Sequence, residues 1–179
     1  PQVLTLLSDT ELEVRRSAAS VAGALNVHAA APLLLKMAAT DDLLLRSVCL
    51  DSLRQLKQPT AVSLAVESLA ASETQLAALA YLADFGTALQ LDAVDNVAAT
   101  NRSVEVLSAV GRVFASWLGN RPIAAAEQQR IGDAIARLHG DTGHPIVWSV
   151  AGPLEDHQAQ QIVEQMISPD PGKTFSTDS

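Results

Sequence analysis

The fold is decided by residues 9–25, DTELEVRRSAASVAGAL, because their apolar pattern returns 31 positions later. Apolar residues three or four apart mark one face of an amphipathic helix. Moving the chain by this step superimposes four apolar pairs: Val14 on Leu45, Ala18 on Cys49, Ala22 on Leu53 and Leu25 on Leu56. Acidic turns precede both segments, and an Asp there can cap the first amides of a helix. The sequence therefore predicts two equivalent helices.

Two weaker copies of this helix follow along the chain. The third runs from Ser72 to Gly86 and the fourth from Asn101 to Gly119, and we expect both glycines to end their helices in the left-handed conformation. Partner helices are predicted between the copies and after the last one, at residues 28–39, 60–71, 87–99 and 123–139. Short connections favour antiparallel packing of consecutive helices.

Together these helices predict an all-α fold, an α-solenoid of about four helical hairpins that follows a half-hairpin at residues 2–8. Each hairpin would bury its apolar face against its neighbours in the chain. The alternative is a single globular bundle in which the similarity between helices is accidental.

A family resemblance rests on residues 9–42, DTELEVRRSAASVAGAL followed by NVHAAAPLLLKMAATDD. An acidic turn, a Val-Arg pair, small residues at helical spacing and a second Ala-x-x-x-Leu helix resemble HEAT repeats of the phycobilisome-lyase-like type. The resemblance covers residues 9–70 and then decays, since Gln75-Leu76 and Ser103-Val104 replace the Val-Arg pair. It implies HEAT-like hairpins. It also implies a ladder of arginine–carboxylate pairs confined to the N-terminal half, with Arg15 and Arg46 bound to Asp9, Asp41 or Asp42.

The C-terminal segment has a different pattern. After Leu138 the sequence HGDTGH is typical of a turn, and Pro145 prevents a continued helix. Residues 146–151 have β-propensity, and a last helix is predicted at residues 155–167 before a polar, flexible tail. We therefore expect a solenoid domain at residues 1–139 and a junction at residues 140–179, with a short extended segment and a helix.

A second resemblance concerns the context of the chain. The pattern Trp148-x-Val150-x-Gly152-Pro153 is similar to the segment after the repeats in large planctomycete-type proteins, which combine a dehydrogenase-like propeller, HEAT repeats and a c-type cytochrome domain. Leu154 departs from that pattern, where an aromatic residue is usual. The resemblance implies an exported, periplasmic protein, and a cytoplasmic one is expected otherwise. Because the chain starts at Pro1 inside a helix-like stretch, we expect a piece of a longer protein.

Composition narrows the classes of function. The net charge is −8, and the 12 Lys and Arg residues are scattered, so a basic face for nucleic acid is not expected. No apolar run reaches the roughly 18 residues of a membrane span. The lone cysteine, Cys49, lies at an apolar position of a predicted helix, and we expect it to be buried.

The sequence gives only weak signals for a metal-binding or phosphate-binding site. His139, His144 and His157 flank the predicted turn near Asp141, but solvated histidines explain them better than a metal site. Gly172-Lys173-Thr174 lacks the rest of a phosphate-binding loop. No catalytic, metal-binding or cofactor-binding residue is therefore predicted, and no cofactor.

The predicted function is a non-catalytic protein-interaction or spacer scaffold. The second helix of each hairpin is expected to line a concave face, which suits an extended protein partner of basic character or neighbouring domains. Five charged residues lie off the apolar stripes of these helices: Lys36, Glu67, Asp92, Asp95 and Arg130. The first resemblance also implies an alternative, a bilin lyase-like enzyme or chaperone. A HEAT-like DNA-repair module is a third hypothesis, which the acidic charge and scarce aromatic residues disfavour.

Overall fold

The computed structural model describes residues 2–120 and 124–142. Every regular element in this part of the chain is helical, and four one-turn 3-10 helices lie at His28–Ala30, Pro59–Ala61, Ser68–Ala70 and Ala88–Gln90. The α-helices are α1 (Gln2–Leu6), α2 (Leu12–Ala24), α3 (Ala31–Ala38), α4 (Leu43–Gln55), α5 (Val62–Glu67), α6 (Ser72–Phe85), α7 (Leu91–Thr100), α8 (Val104–Asn120) and α9 (Ala125–Thr142). The predicted strand, last helix and tail lie outside the described residues.

The helices form two layers that follow the chain. Helices α2, α4, α6 and α8, here called the A layer, pack each against the next, and these are the most extensive contacts in the described part. Helices α3, α5 and α7 each pack on the A-layer helix that follows them, and with α1 and α9 they form the B layer. Contacts are therefore between sequence neighbours. The predicted all-α solenoid is confirmed.

The core repeats in register along the A layer. Equivalent buried positions are separated by 31, 29 and 35 residues, and three such sets are Ala18, Cys49, Ala78 and Val113; Ala19, Leu50, Leu79 and Phe114; and Ala22, Leu53, Leu82 and Trp117. The members of each set are at most 5% exposed. All three α2 members are alanines, whereas the α8 members are Val113, Phe114 and Trp117, so larger side chains fill the interhelical space at the α8 end of the stack.

Small residues bring α2 and α4 close together. A Cβ atom added to Gly23 would lie 2.9 Å from the Cα atom of Ser52, so the backbones nearly touch there. The Ser52 hydroxyl lies 2.8 Å from the Ala19 carbonyl oxygen across the same interface. Ser116, at the equivalent position of α8, reaches the Ala83 carbonyl of α6 at 2.7 Å. In each of these two A-layer interfaces, a serine hydroxyl of one helix therefore contacts a backbone carbonyl of the preceding helix.

Helices α2 and α4 end in the same way. Asn26 and Lys57, 31 residues apart, have positive φ angles of 52° and 54°. The amide of the following residue then donates to the third-last helical residue, Val27 to the Ala22 carbonyl at 2.9 Å and Gln58 to that of Leu53 at 3.0 Å. This pattern is a Schellman motif, which satisfies carbonyls at the helix end.

Neither of the two glycines that were expected to end a helix in the left-handed backbone conformation does so. Gly86 has φ −74° and an extended backbone, so the prediction of a left-handed residue there was wrong. Its small size is required instead by space, because an added Cβ would lie 2.6 Å from the Leu82 carbonyl oxygen and 3.0 Å from Cζ2 of Trp117. Helix α8 continues through Gly119 to Asn120, so Gly119 does not end it.

The predicted turn after Leu138 was also wrong in part. Helix α9 continues through His139–Thr142, the first four residues of HGDTGH. One glycine costs a helix only about 1 kcal/mol relative to alanine, so Gly140 does not stop it. Pro145, the residue that excludes a helix, lies beyond the described residues.

Candidate partner-binding face

Exposed residues of the B layer repeat with the same steps as the core. Lys36 of α3, Glu67 of α5 and Asn96 of α7 are separated by 31 and 29 residues, and all three are exposed. We call this surface, with Asp92, Asp95 and Arg130, the B face. Four of the five predicted site residues are exposed, and Asp95 is half-buried.

The two aspartates of α7 are bound to arginines of α9. A guanidinium nitrogen of Arg130 lies 2.8 Å from Oδ1 of Asp92, and one of Arg137 lies 2.8 Å from Oδ2 of Asp95. The structure thus brings three of the predicted residues together. Sequence reasoning missed Arg137, although it lies seven residues after Arg130 and therefore two turns along the same helix face.

These ion pairs are open to solvent. The Asp92 side chain is 89% exposed and that of Arg130 is 54% exposed. Exposed pairs of this kind contribute about 0.2–1 kcal/mol at most, since water screens them. The arginines therefore reduce the negative charge of the B face locally, while the carboxylates stay accessible to solvent.

Lys36 and Glu67 differ from the aspartates. Within residues 2–120 and 124–142 they make no ion pair and no side-chain hydrogen bond, and both lie on the exposed side of short helices whose other side is buried. Their charges are directly available to a partner.

The predicted arginine–carboxylate pairs of Arg15 and Arg46 were wrong. Both arginines lie at the opposite ends of the hairpins, where B-layer helices lead into A-layer helices. Arg15 donates to the main-chain carbonyls of Asp9 at 2.8 Å and Thr10 at 2.9 Å. Arg46 likewise donates to the carbonyls of Ala38 at 3.2 Å and Thr40 at 2.6 Å. Both side chains stabilise the turn before their own helix, because that turn points its carbonyls at the guanidinium.

The carbonyl contact extends beyond the two arginines. Gln75, at the register position of Arg46, donates to the Leu69 carbonyl at 3.0 Å and accepts a hydrogen bond from Asn101 at 2.7 Å. The third hairpin therefore keeps the contact with a neutral side chain. Ion pairs between hairpins also occur beyond the N-terminal half, in the contacts of Arg130 with Asp92 and of Arg137 with Asp95.

One arginine–carboxylate pair does cross the N-terminal hairpins, and it uses Arg16. Its guanidinium lies 2.7 Å from Oδ2 of Asp42 and also contacts Glu13. Asp42 caps α4 by accepting from the Leu45 amide at 2.6 Å. This cap, and then Arg16, lower the pKa of the Asp42 carboxyl below its usual value.

Other reactive groups do not form a site in the described residues. Cys49 is buried in α4, as predicted, and burial raises the pKa of its thiol to about 12, which removes the nucleophilic thiolate. No group of three metal-ligating side chains occurs in this part of the chain. His28 is exposed at the start of a 3-10 helix. The predictions for the histidine cluster and for Gly172–Thr174 lie outside the side chains described.

None of the helices in residues 2–120 and 124–142 is long and apolar enough to cross a bilayer. No protein-family model, no curated protein and no solved structure matches the chain.

Proposed function

We propose that this protein is a non-catalytic scaffold of HEAT-like repeats whose B face binds an extended protein partner or neighbouring domains. The observation that carries the proposal is the register of Lys36, Glu67 and Asn96, which places one exposed polar side chain per hairpin. A surface that repeats with the hairpins suits a partner that runs along the stack.

The HEAT-like part of the proposal is supported by a recurring turn. Arg15, Arg46 and Gln75 each donate to the carbonyl of the residue six positions earlier. Three side chains of two chemical types make the same contact, so the hairpins share local geometry as well as a hydrophobic pattern.

The partner chemistry follows from the charges of the B face. Glu67 is exposed and makes no ion pair among the described residues, while Asp92 and Asp95 are held by solvent-exposed arginines. Because such pairs are weak, a lysine or arginine of a partner can exchange with Arg130 or Arg137. The carboxylates of Glu67, Asp92 and Asp95 therefore suit a partner of basic character, and Lys36 on the first hairpin suits an acidic group of the same partner.

The proposal is tested by capture with charge-reversed variants. Protein carrying Glu67→Lys, Asp92→Lys and Asp95→Lys should lose a partner that the unchanged protein retains, because three attractive charges become repulsive. The matched control carries Asp41→Lys, Glu73→Lys and Glu105→Lys, three exposed acids that lie outside the B face. Equal retention by both variants, or equal loss, would contradict the B face as the binding surface.

A second control separates binding from folding. The double variant Asp92→Arg with Arg130→Asp exchanges the two charges and keeps the link between α7 and α9. If partner binding needs the carboxylate of Asp92 itself, this variant binds more weakly at unchanged thermal stability. If it binds normally while the triple variant does not, the other two acids carry the recognition.

A further inference from the structure

The outer edge of α2 exposes side chains whose equivalents are buried in later hairpins. Val21 is 42% exposed, whereas Ser52 and Tyr81 at the same register are 1% and 0% exposed. Leu25 is 67% exposed and its equivalent Leu56 is 0% exposed. Ser52 faces the preceding A-layer helix, where its hydroxyl donates to the Ala19 carbonyl, and the Tyr81 hydroxyl donates to the Gln58 carbonyl just after α4. Within the described residues, α2 has no such neighbour.

The B layer shows the same difference. Leu6 of α1 is 42% exposed, while its equivalent Met37 is half-buried and its equivalents Ser68 and Val97 are 1% and 2% exposed. Leu6, Val21 and Leu25 are therefore each more exposed than their equivalents in the later hairpins, of which Met37 and Phe85 are half-buried against the core, and we call these three residues the α2 edge. It continues the interfaces that hold the stack together.

The α2–α4 interface shows what kind of helix fits such an edge. There α2 is the preceding helix, and its Gly23 lies against the backbone of Ser52. Two turns earlier, Arg16 reaches the carboxylate of Asp42 at 2.7 Å. A preceding helix thus presents an arginine and, seven residues later, a residue small enough for close approach.

The α2 edge offers the matching charge. Glu11 precedes α2 by one residue, as Asp42 precedes α4, and the two are 31 residues apart. Asp42 accepts a hydrogen bond from the guanidinium of Arg16 in the preceding helix. Glu11 is exposed and makes no side-chain cap hydrogen bond. Glu11 is therefore placed to accept an arginine from a helix that packs on α2.

We propose that the α2 edge binds an amphipathic helix of another helical repeat, parallel to α2. That helix carries an arginine opposite Glu11 and, seven residues later, a glycine or alanine over Val21. The docking extends the A layer by one helix. It uses a surface separate from the B face, so it does not depend on the function proposed above.

The test uses a helix whose pattern is known to fit. The probe is a hydrocarbon-stapled peptide with the sequence of residues 9–27, which contains Arg16 and Gly23, and its binding to the full chain is measured by fluorescence anisotropy. Saturable binding is expected, and Val21→Asp together with Leu25→Asp should weaken it at least about tenfold by burying two charges against the helix. Leu89→Asp is the matched control, since Leu89 is 84% exposed on the third hairpin, and should leave binding unchanged.

A charge exchange tests the parallel register. Glu11→Arg in the protein should weaken binding of the peptide by about two- to fivefold, as expected for an exposed ion pair. The peptide with Arg16→Glu should recover the loss with that variant only. No binding, or binding that ignores Val21 and Leu25, overturns the proposal. So does self-association of the unmixed chain, in sedimentation velocity, that the Val21→Asp and Leu25→Asp changes abolish, because a second copy would then be the occupant.

Discussion

At the scale of single residues, the ends of α2 and α4 show a conformation that their side chains do not favour. Lys57 has φ 54°, in the left-handed region that only glycine enters without cost. The Schellman hydrogen bonds of the neighbouring residues hold it there. Asn26, its equivalent, is better suited because asparagine tolerates this region more readily.

Lys57→Gly is therefore expected to stabilise the protein. Relief of the left-handed strain, about 1–2 kcal/mol, exceeds the added chain entropy of glycine, about 0.5–1 kcal/mol. The net gain should be about 0.5–1 kcal/mol in urea unfolding. Lys36→Gly, in the last turn of α3, is the control and should destabilise by up to about 1 kcal/mol. A loss of stability in Lys57→Gly would contradict the assigned conformation.

Asp42 makes the stability depend on pH. Its folded pKa lies below the ordinary value of 3.8 because the Leu45 amide and Arg16 stabilise the carboxylate. The stabilisation is therefore complete above that ordinary value and is lost as pH falls through the lower folded pKa. Asp42→Asn should lower the melting temperature near neutral pH, and by less at a pH below the ordinary value of 3.8.

The control for this prediction is Asp41→Asn. It removes a carboxylate from the same turn, but the cap hydrogen bond and the contact with Arg16 belong to Asp42. A melting temperature for Asp42→Asn that stays below the unchanged protein by the same amount at both pH values would contradict the account.

At the scale of helices, the closest approach in the stack is that of α2 to α4. Gly23→Ala would place a Cβ atom 2.9 Å from the Ser52 Cα, and backbone atoms cannot turn aside. Overpacking of this kind costs about 1–3 kcal/mol, against about 1 kcal/mol of improved helix propensity. We expect a net loss of up to about 2 kcal/mol. Ser17→Ala, on the exposed side of α2, should change stability little.

Much of the helix pattern could be predicted from the sequence, because a constant step keeps Val14 and Leu45 in one register. The chain extends the third step to 35 residues, so Ser116 could not be aligned with Ser52 by sliding. The helix ends were harder to predict from the sequence. Gly86 carried the usual signal for a left-handed end and Lys57 carried none, since the surrounding hydrogen bonds decide the conformation.

For the candidate site too, the sequence predicted the side of the helix on which residues lie but not the residues that they contact. The spacing of Asp92 and Asp95 correctly put both carboxylates on the side of α7 that is not buried in the core. Their partners depend on how α9 lies on α7, which no local pattern specifies. Arg15 has the same limitation, because its side chain is long enough for carboxylates and carbonyls alike and the turn conformation selects between them.

At the scale of the whole molecule, the central claim is an open stack of A-layer helices rather than a closed bundle. Each interface advances the stack by about 8–10 Å, the usual distance between packed helices. Ser17 of α2, Ala77 of α6 and Arg112 of α8 occupy equivalent positions, exposed for Ser17 and Arg112 and half-buried for Ala77, so distances between them count interfaces directly. In a closed bundle α8 would return to the side of α2.

Electron–electron double resonance between spin labels tests this claim most directly. Labels are placed by Ser17→Cys with Ala77→Cys, and by Ser17→Cys with Arg112→Cys; the native Cys49 thiol is buried, with a pKa of about 12, and should remain unlabelled. The stack predicts about 18 Å across two interfaces and about 27 Å across three. A distance from α2 to α8 that is no longer than that from α2 to α6 would contradict the solenoid.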